Sequence, residues 1–383
     1  MNPLPLRPTW VEINTRAIEN NARRLKKIIG TKTELMAMVK ANGYGHGALA
    51  AARAALRGGA SWLGVYAAGE GLELRDAGIT APILVLGPTL PEWTRDAIAH
   101  DLTLVIPARE YVQPILDAAK SLNKPARVHV KIDTGMTRLG FDSPSAAKEI
   151  LEFAGDKNLI VEGILTHFAV ADDPNARGIE GWGEAFTHQQ LDAFLRVAND
   201  LEQAGLTLLY RHAANSPGAI YYQHPRLNLA RSGILLYGLH PSDDIPRPTE
   251  FEPALSFKTR LAFVRDVPAG RFVSYGATFE TKRHTRVGVL MVGYADSFRR
   301  APKNYGQVLV RGQRASIIGR VCMDQTMIDL TEIPEAKLGD EVVLIGKQGK
   351  EELSAEKVAA QLGTNNYETV TTISARVPRI YLA

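Results

Sequence analysis

The chain has 383 residues, of which 45% are hydrophobic and 22% charged, and it carries a formal net charge of +4. This is too long for one ordinary domain and suits two domains of soluble globular composition. No block of like charges favours nucleic acid, and no apolar span is long enough to cross a bilayer. The single cysteine, Cys322, excludes an intramolecular disulfide and a cysteine-based zinc cluster, so no metal is expected. Met1–Arg7 lacks the apolar core of a signal peptide, which leaves a cytoplasmic location as the expectation.

Trp10, Glu12 and Asn14 alternate with Val11 and Ile13, the period of a short strand, and Ile18, Ala22, Leu25 and Ile29 then follow helical spacing. Strands are expected at 34–40, 61–66, 82–86, 102–106, 127–132, 160–166, 207–212 and 227–231. Helices are expected between them, near 48–57, 69–77, 91–99, 109–121, 143–154, 183–204 and 216–222. Eight apolar strands separated by helices are the pattern of an α/β fold built as a (β/α)8, TIM-like barrel. A doubly wound open sheet shows a similar alternation with fewer strands for this length. Pro241, Pro246, Pro248 and Pro253 punctuate a polar linker, which divides the chain into residues 1–245 and 246–383. The second part is a mainly-β C-terminal domain, with strands expected at 255–265, 271–275, 286–293, 306–310, 314–330 and 340–345 and a helix at 354–362. The strand at 9–14 is a candidate to pair with that domain.

In a barrel, chemistry collects at the C-terminal ends of the strands. Lys40 ends the first strand and opens the turn Ala41-Asn42-Gly43-Tyr44-Gly45-His46-Gly47. Burial at a strand end disfavours its ammonium, leaving an amine suited to a Schiff base with a carbonyl or with pyridoxal phosphate. Taken alone, such a lysine is more often a snorkelling structural residue. The glycines admit a ligand to the backbone, and Tyr44 offers a hydroxyl to a phosphate. Lys131 ends the fifth strand, ahead of Arg138, and His167 ends the sixth. Asn215 and Ser216 follow the seventh, and Arg231-Ser232-Gly233-Ile234 follows the eighth. His167 reads first as a core histidine and Ser216 as a helix cap, while Gly233 reads as a turn glycine. Ser216 with the amides of Gly233 and Ile234 also suits a phosphate. Arg231 does not give up its proton, so against a pyridine nitrogen it keeps that nitrogen unprotonated and the ring a weaker electron sink.

These segments, Val39–Gly47, Lys131–Gly140, Glu162–Phe168, Asn215-Ser216 and Arg231–Gly238, resemble those of the alanine racemases in order and wording. The resemblance continues through Val273–Gly276, Gly293–Asp296, Gly319–Asp324 and Arg376–Arg379. It implies a barrel plus β-domain fold, pyridoxal 5'-phosphate on Lys40, and a head-to-tail homodimer in which each β domain completes the other subunit's site. It implies racemisation of L- and D-alanine by two bases, Lys40 on the D face and Tyr275 of the partner subunit on the L face. The reaction then supplies D-alanine for peptidoglycan or serves D-alanine catabolism. A chain of hydrogen bonds from Tyr275 through His167 to Arg231 is implied, and Arg138 and the backbone of Met323 match receivers of the substrate carboxylate. Tyr367 matches a pocket tyrosine that reaches the cofactor phosphate, and Asp172 and Tyr294 match a narrow entry corridor. Lys131 matches a lysine that many relatives carbamylate; an unmodified lysine or a chloride in place of the carbamate stays open. Asn365-Asn366 departs from the family pattern, and Thr137 and Ser297 stand where glycine is common.

The nearest enzyme rival is a barrel-plus-β-domain decarboxylase, whose acidic pyridine partner is unmatched by Arg231. A broad-specificity racemase and a non-catalytic pyridoxal phosphate binder are further alternatives. The first usually carries a secretion signal, and the second typically ends with the barrel.

Overall fold

The computed structural model describes residues 7–248 and 250–383; most of the segment that bears on a signal peptide lies outside the described residues. Two compact units are present. One comprises Ala17–Tyr44 and Ala48–Glu252; the other comprises Pro253–Ala383 with Gly45–Gly47 and the segment ending at Arg16.

The first unit is a barrel of eight parallel strands: β1 (Glu34–Met38), β2 (Trp62–Val65), β3 (Ile83–Val85), β4 (Leu102–Ile106), β5 (Ala126–Asp133), β6 (Leu159–Leu165), β7 (Tyr210–His212) and β8 (Leu229–Ser232). Pairing runs β8-β1-β2-β3-β4-β5-β6-β7. The seam between β7 and β8 is bridged by the amides of Asn228 and Arg231, which donate to the carbonyls of Arg211 and Ala214 at 3.1 and 3.0 Å. Every residue of β2, β3 and β4 is buried, as expected for strands covered on both faces. The helix Ala48–Arg57 buries Ala51, Ala52, Ala54 and Ala55, small side chains that allow close packing onto the sheet. The seventh strand is shorter than its expected 207–212, because the residues before Tyr210 lie in irregular chain.

The second unit is mainly β, organised around Leu255–Val267. This strand pairs antiparallel with Trp10–Asn14, with Thr285–Leu290 and with Glu341–Gln348. The chain end, Arg379–Leu382, pairs parallel with Trp10–Asn14. The long strand expected at 314–330 is two strands, Gln313–Ser316 and Thr326–Asp329. Gly319 turns the chain between them at φ +70°, where an added Cβ would meet the Ser274 Cβ at 2.7 Å. The strand expected at 271–275 ends at Val273, because Ser274 adopts φ +67° and Tyr275 enters a 3-10 turn. A helix at Asn366–Thr371 was not legible in the sequence; Asn365 caps it, its Oδ1 accepting the Glu368 amide at 2.9 Å. Among the described residues no helix is long and apolar enough to cross a membrane.

Candidate active site

Lys40 stands two residues after the end of β1 and leads a run of left-handed residues: Ala41, Asn42, Gly43 and Tyr44 have φ of 52°, 53°, 61° and 52°. Each non-glycine residue in this conformation costs ~1–2 kcal/mol, so other contacts must hold the turn. Glu70 supplies one. Its Oε1 accepts the Ala41 amide at 2.6 Å, while its Oε2 accepts the amides of Tyr66 and Ala67 at 2.8 and 3.2 Å. Asn42 supplies another, accepting the Ala48 amide at 3.0 Å. Burial lowers the Lys40 pKa; Arg138 and Arg231 add to the fall and Glu70 opposes it. The shift favours the neutral amine at a fixed point on the barrel's C-terminal rim.

Arg231, on β8, is the hub of that rim. Its Nη1 donates to His212 Nδ1 and to the His212 carbonyl at 2.9 and 3.0 Å. Its Nη2 faces His167 Nδ1 at 3.1 Å and the carbonyls of Thr166 and Ala213 at 2.8 and 3.1 Å. The Nε–H has no acceptor among the described residues and is the donor left for a ligand. Burial, then the charges of Arg231, Lys131, Arg138 and Lys40, hold His167 well below the ordinary imidazole value, so it is neutral. Lys131, near the C-terminal end of β5, is pushed down to about 7 by burial and by Arg231, with Arg138 adding and Asp133 opposing. Arg138 lies in the exposed loop after β5, which Asp133 shapes by accepting the amides of Gly135 and Thr137 at 2.9 and 3.1 Å. Thr137 sits there at φ +54°, and Ser297 of the β unit at φ +68°. Both departures from glycine thus fall in left-handed backbone that glycine adopts freely.

A second cluster lies beside the eighth strand end. A Cβ on Gly233 would meet Tyr44 Oη at 2.4 Å, so only glycine leaves room for that tyrosine. The Gly233 amide donates to Ser216 Oγ at 2.9 Å, and Ser216 Oγ lies 3.3 Å from Ser232 Oγ. Ile234 opens a 3-10 turn, which leaves its amide at the start of the turn. Asn215 caps the helix Ser216–Tyr221 by accepting the Gly218 amide at 3.0 Å. Burial raises the Tyr44 phenol to about 12, so it stays a neutral donor. Asp172 is half-buried in the loop after β6, and burial raises its carboxyl above the ordinary value.

The β unit carries the remaining residues. Tyr275, Tyr294 and Met323 line an open cavity of about 670 Å³ with Arg300. Tyr275 is 67% exposed and Met323 54%. Arg376 ties the motifs behind them together, reaching buried Asp296 at 2.8 Å and Asp324 at 2.7 Å. Tyr367 is half-buried in the helix that Asn365 caps, which gives the departure at Asn365 a local cause. Among the described residues no group of three or more side chains suits a metal ion.

The family model "Alanine racemase, N-terminal domain" matches residues 13–241, and "Alanine racemase, C-terminal domain" matches residues 254–381. The chain belongs to the alanine racemase family. An alanine racemase of Methanococcus maripaludis is 42% identical over 98% of this chain and 99% of its own. One of Halothermothrix orenii is 40% identical over 100% and 98%. The crystal structure of alanine racemase from Bacillus anthracis with bound L-Ala-P superposes with a TM-score of 0.91 at 39% identity, covering 98% of this chain and 95% of that one.

Sequence reasoning did not single out Glu70, His129 or His212, nor Glu162 as a separate group within its motif. Glu70 gave a signal in principle, as a lone carboxylate at the start of the helix Ala68–Asp76. The histidines gave none, because a histidine inside an apolar strand reads as core.

Proposed function

We propose that the chain is a cytoplasmic alanine racemase that interconverts L- and D-alanine, with pyridoxal 5'-phosphate carried covalently on Lys40 Nζ, in a head-to-tail homodimer. The observation that carries this reading is the arrangement at the rim: a half-buried lysine, its pKa lowered by burial, beside a braced left-handed turn, and a buried arginine with one donor to spare. The residues present fit the cofactor. Ser216, the Ile234 amide and Tyr44 would offer hydrogen bonds to its phosphate, with Asn215 and Gly233 shaping that corner and Tyr367 a further tyrosine for the same group. His167 offers an imidazole face to the ring, and Arg231 Nε–H a donor to the ring nitrogen.

When bound, pyridoxal phosphate withdraws electrons from the alanine Cα and so acidifies its C–H bond. Lys40 Nζ exchanges a proton with one face of that carbon, and the phenol of Tyr275 of the partner subunit exchanges one with the other face. Arg138 and the backbone amide of Met323 of the partner subunit hold the alanine carboxylate. Lys131, if carbamylated, is an anion that orients Arg138. Asp172 and Tyr294 of the partner subunit narrow the approach, which limits the side chain to small groups. Arg231 holds the ring nitrogen unprotonated, which favours return of the proton over transamination. The product serves peptidoglycan synthesis or enters D-alanine catabolism.

The test is an absorbance spectrum of the purified protein, followed by L-alanine as substrate. Visible cofactor absorbance and appearance of D-alanine are expected, both lost in Lys40→Ala. Full activity with retained absorbance in Lys40→Ala contradicts the assignment.

A further inference from the structure

The interior of this barrel holds a line of polar side chains where large aliphatic groups ordinarily fill the layers. From the rim inward, Arg231 Nη1 meets His212 Nδ1 at 2.9 Å, and His212 Nε2 meets His129 Nδ1 at 2.7 Å. His129 Nε2 points at Glu162 Oε1 across 3.7 Å, beyond hydrogen-bond reach. It makes no hydrogen bond among the described residues. Glu162 is closed off at the far end by Thr103 Oγ1 at 3.3 Å and by Arg127 Nη1 at 2.8 Å. Both histidines are fully buried, Glu162 is 4% exposed and Arg231 3%.

The two ends dictate the protons between them. Arginine has only donors, so His212 Nδ1 must be the bare acceptor. A neutral His212 then carries its proton on Nε2 and donates it to His129 Nδ1. His129 in turn carries its proton on Nε2, aimed at the carboxylate. The opposite setting would point a lone pair at Glu162 in a buried environment, where electrostatic terms are large.

We propose that Glu162 and His129 are positioning residues for Arg231: the carboxylate fixes the His129 tautomer, His129 fixes that of His212, and His212 Nδ1 thereby stays an acceptor for the guanidinium. This rests on the reading of Arg231 as the group that meets the cofactor ring. Neither residue touches a ligand. Their effect is to orient the guanidinium from below, and Glu162 supplies the buried negative charge nearest along that line. The groups facing the histidine pair are Arg231 and Lys131 toward the rim, Glu162 and Arg127 toward the base, and Trp62 and Tyr210 at the side. Burial lowers both imidazoles; Arg231, then His129 and Lys131, take His212 further down, while Glu162 partly opposes the fall at His129. Burial acts to raise the Glu162 carboxyl, and His129 and Arg127 together bring it below the ordinary value. The line is therefore neutral, neutral, anionic below a cation.

The experiment is nitrogen NMR of the cofactor-free protein labelled with 15N-histidine, with His129→Gln and His212→Gln used to assign the two rings. In the unsubstituted chain both rings should be Nε2–H tautomers, unchanged between pH 6 and 9. In Glu162→Gln the negative charge that favours a proton on His129 Nε2 is gone, so the proton moves to Nδ1 in both rings, because the His212 Nε2–His129 Nδ1 bond needs one donor and one acceptor. Glu162→Asp should restore the original pattern. In the loaded enzyme Glu162→Gln should lower kcat at least tenfold, with KM for alanine changed less than threefold, and raise the fraction of turnovers ending in transamination. An Nδ1–H His212 in the unsubstituted chain, or tautomers indifferent to Glu162→Gln, overturns the proposal. Correct tautomers in a protein that does not racemise alanine would instead overturn the functional reading and leave the relay standing.

Discussion

The Glu70 carboxylate accepts the Ala41 amide at 2.6 Å and so fastens the left-handed turn after Lys40 to the loop that follows β2. The same carboxylate takes the amides of Tyr66 and Ala67, which means one side chain braces two rim loops. Losing a charge-assisted acceptor for a backbone amide costs ~1–3 kcal/mol. Glu70→Ala should therefore weaken pyridoxal phosphate attachment about tenfold and lower the melting temperature, with Glu70→Gln intermediate. A titration of cofactor absorbance checks this, and identical curves for all three proteins would refute the brace.

Gly233→Ala places a methyl 2.4 Å from Tyr44 Oη, so the tyrosine must move. If that hydroxyl serves the phosphate, affinity for pyridoxal phosphate should fall at least tenfold. Affinity for pyridoxal, which lacks the phosphate, should change much less. Equal losses for both ligands would show that the substitution acts on the barrel in general.

Lys131 titrates at about 7 in the folded chain, against ~10.4 unfolded. Between those values the unfolded state binds the extra proton, so stability rises with pH across the window. Below pH 7 both states are protonated, and the burial penalty is complete. In bicarbonate-free buffer the unfolding midpoint of the unsubstituted protein should gain on that of Lys131→Met from pH 7 to 10, by ~2 kcal/mol after relaxation is allowed for. With 13C-bicarbonate at pH 8, a carbamate resonance should appear that Lys131→Met lacks. A constant stability difference across this range contradicts the buried-amine account.

Thr137 is a β-branched residue at φ +54°. Glycine there removes the strain but loosens the unfolded chain, and the first term is larger for a β-branched side chain. Thr137→Gly should stabilise by up to ~1 kcal/mol in a urea titration. A loss of stability would mean that the Thr137 side chain makes a contact of its own.

The barrel was legible because each strand is a short apolar run bounded by a helix with its own period, and the rim residues follow by position at the strand ends. The β unit was harder. The break inside 314–330 comes from Gly319 passing close to Ser274, a contact between segments distant in the chain. Tyr275 fell at the end of the strand expected at 271–275, yet the positive φ of Ser274 turns it out into a 3-10 turn. His129 and His212 were invisible for a related reason, and Glu70 showed only as an acidic residue in a first helical turn. Their roles depend on which amide or ring stands opposite, and residue type alone does not say so.

The most direct measurement is Cα deuterium exchange in deuterated water, run from L-alanine and from D-alanine, in the parent enzyme and in Tyr275→Ala. With one base on each face, Tyr275→Ala should suppress exchange from L-alanine far more than exchange from D-alanine. Equal suppression from both enantiomers would contradict the two-base account.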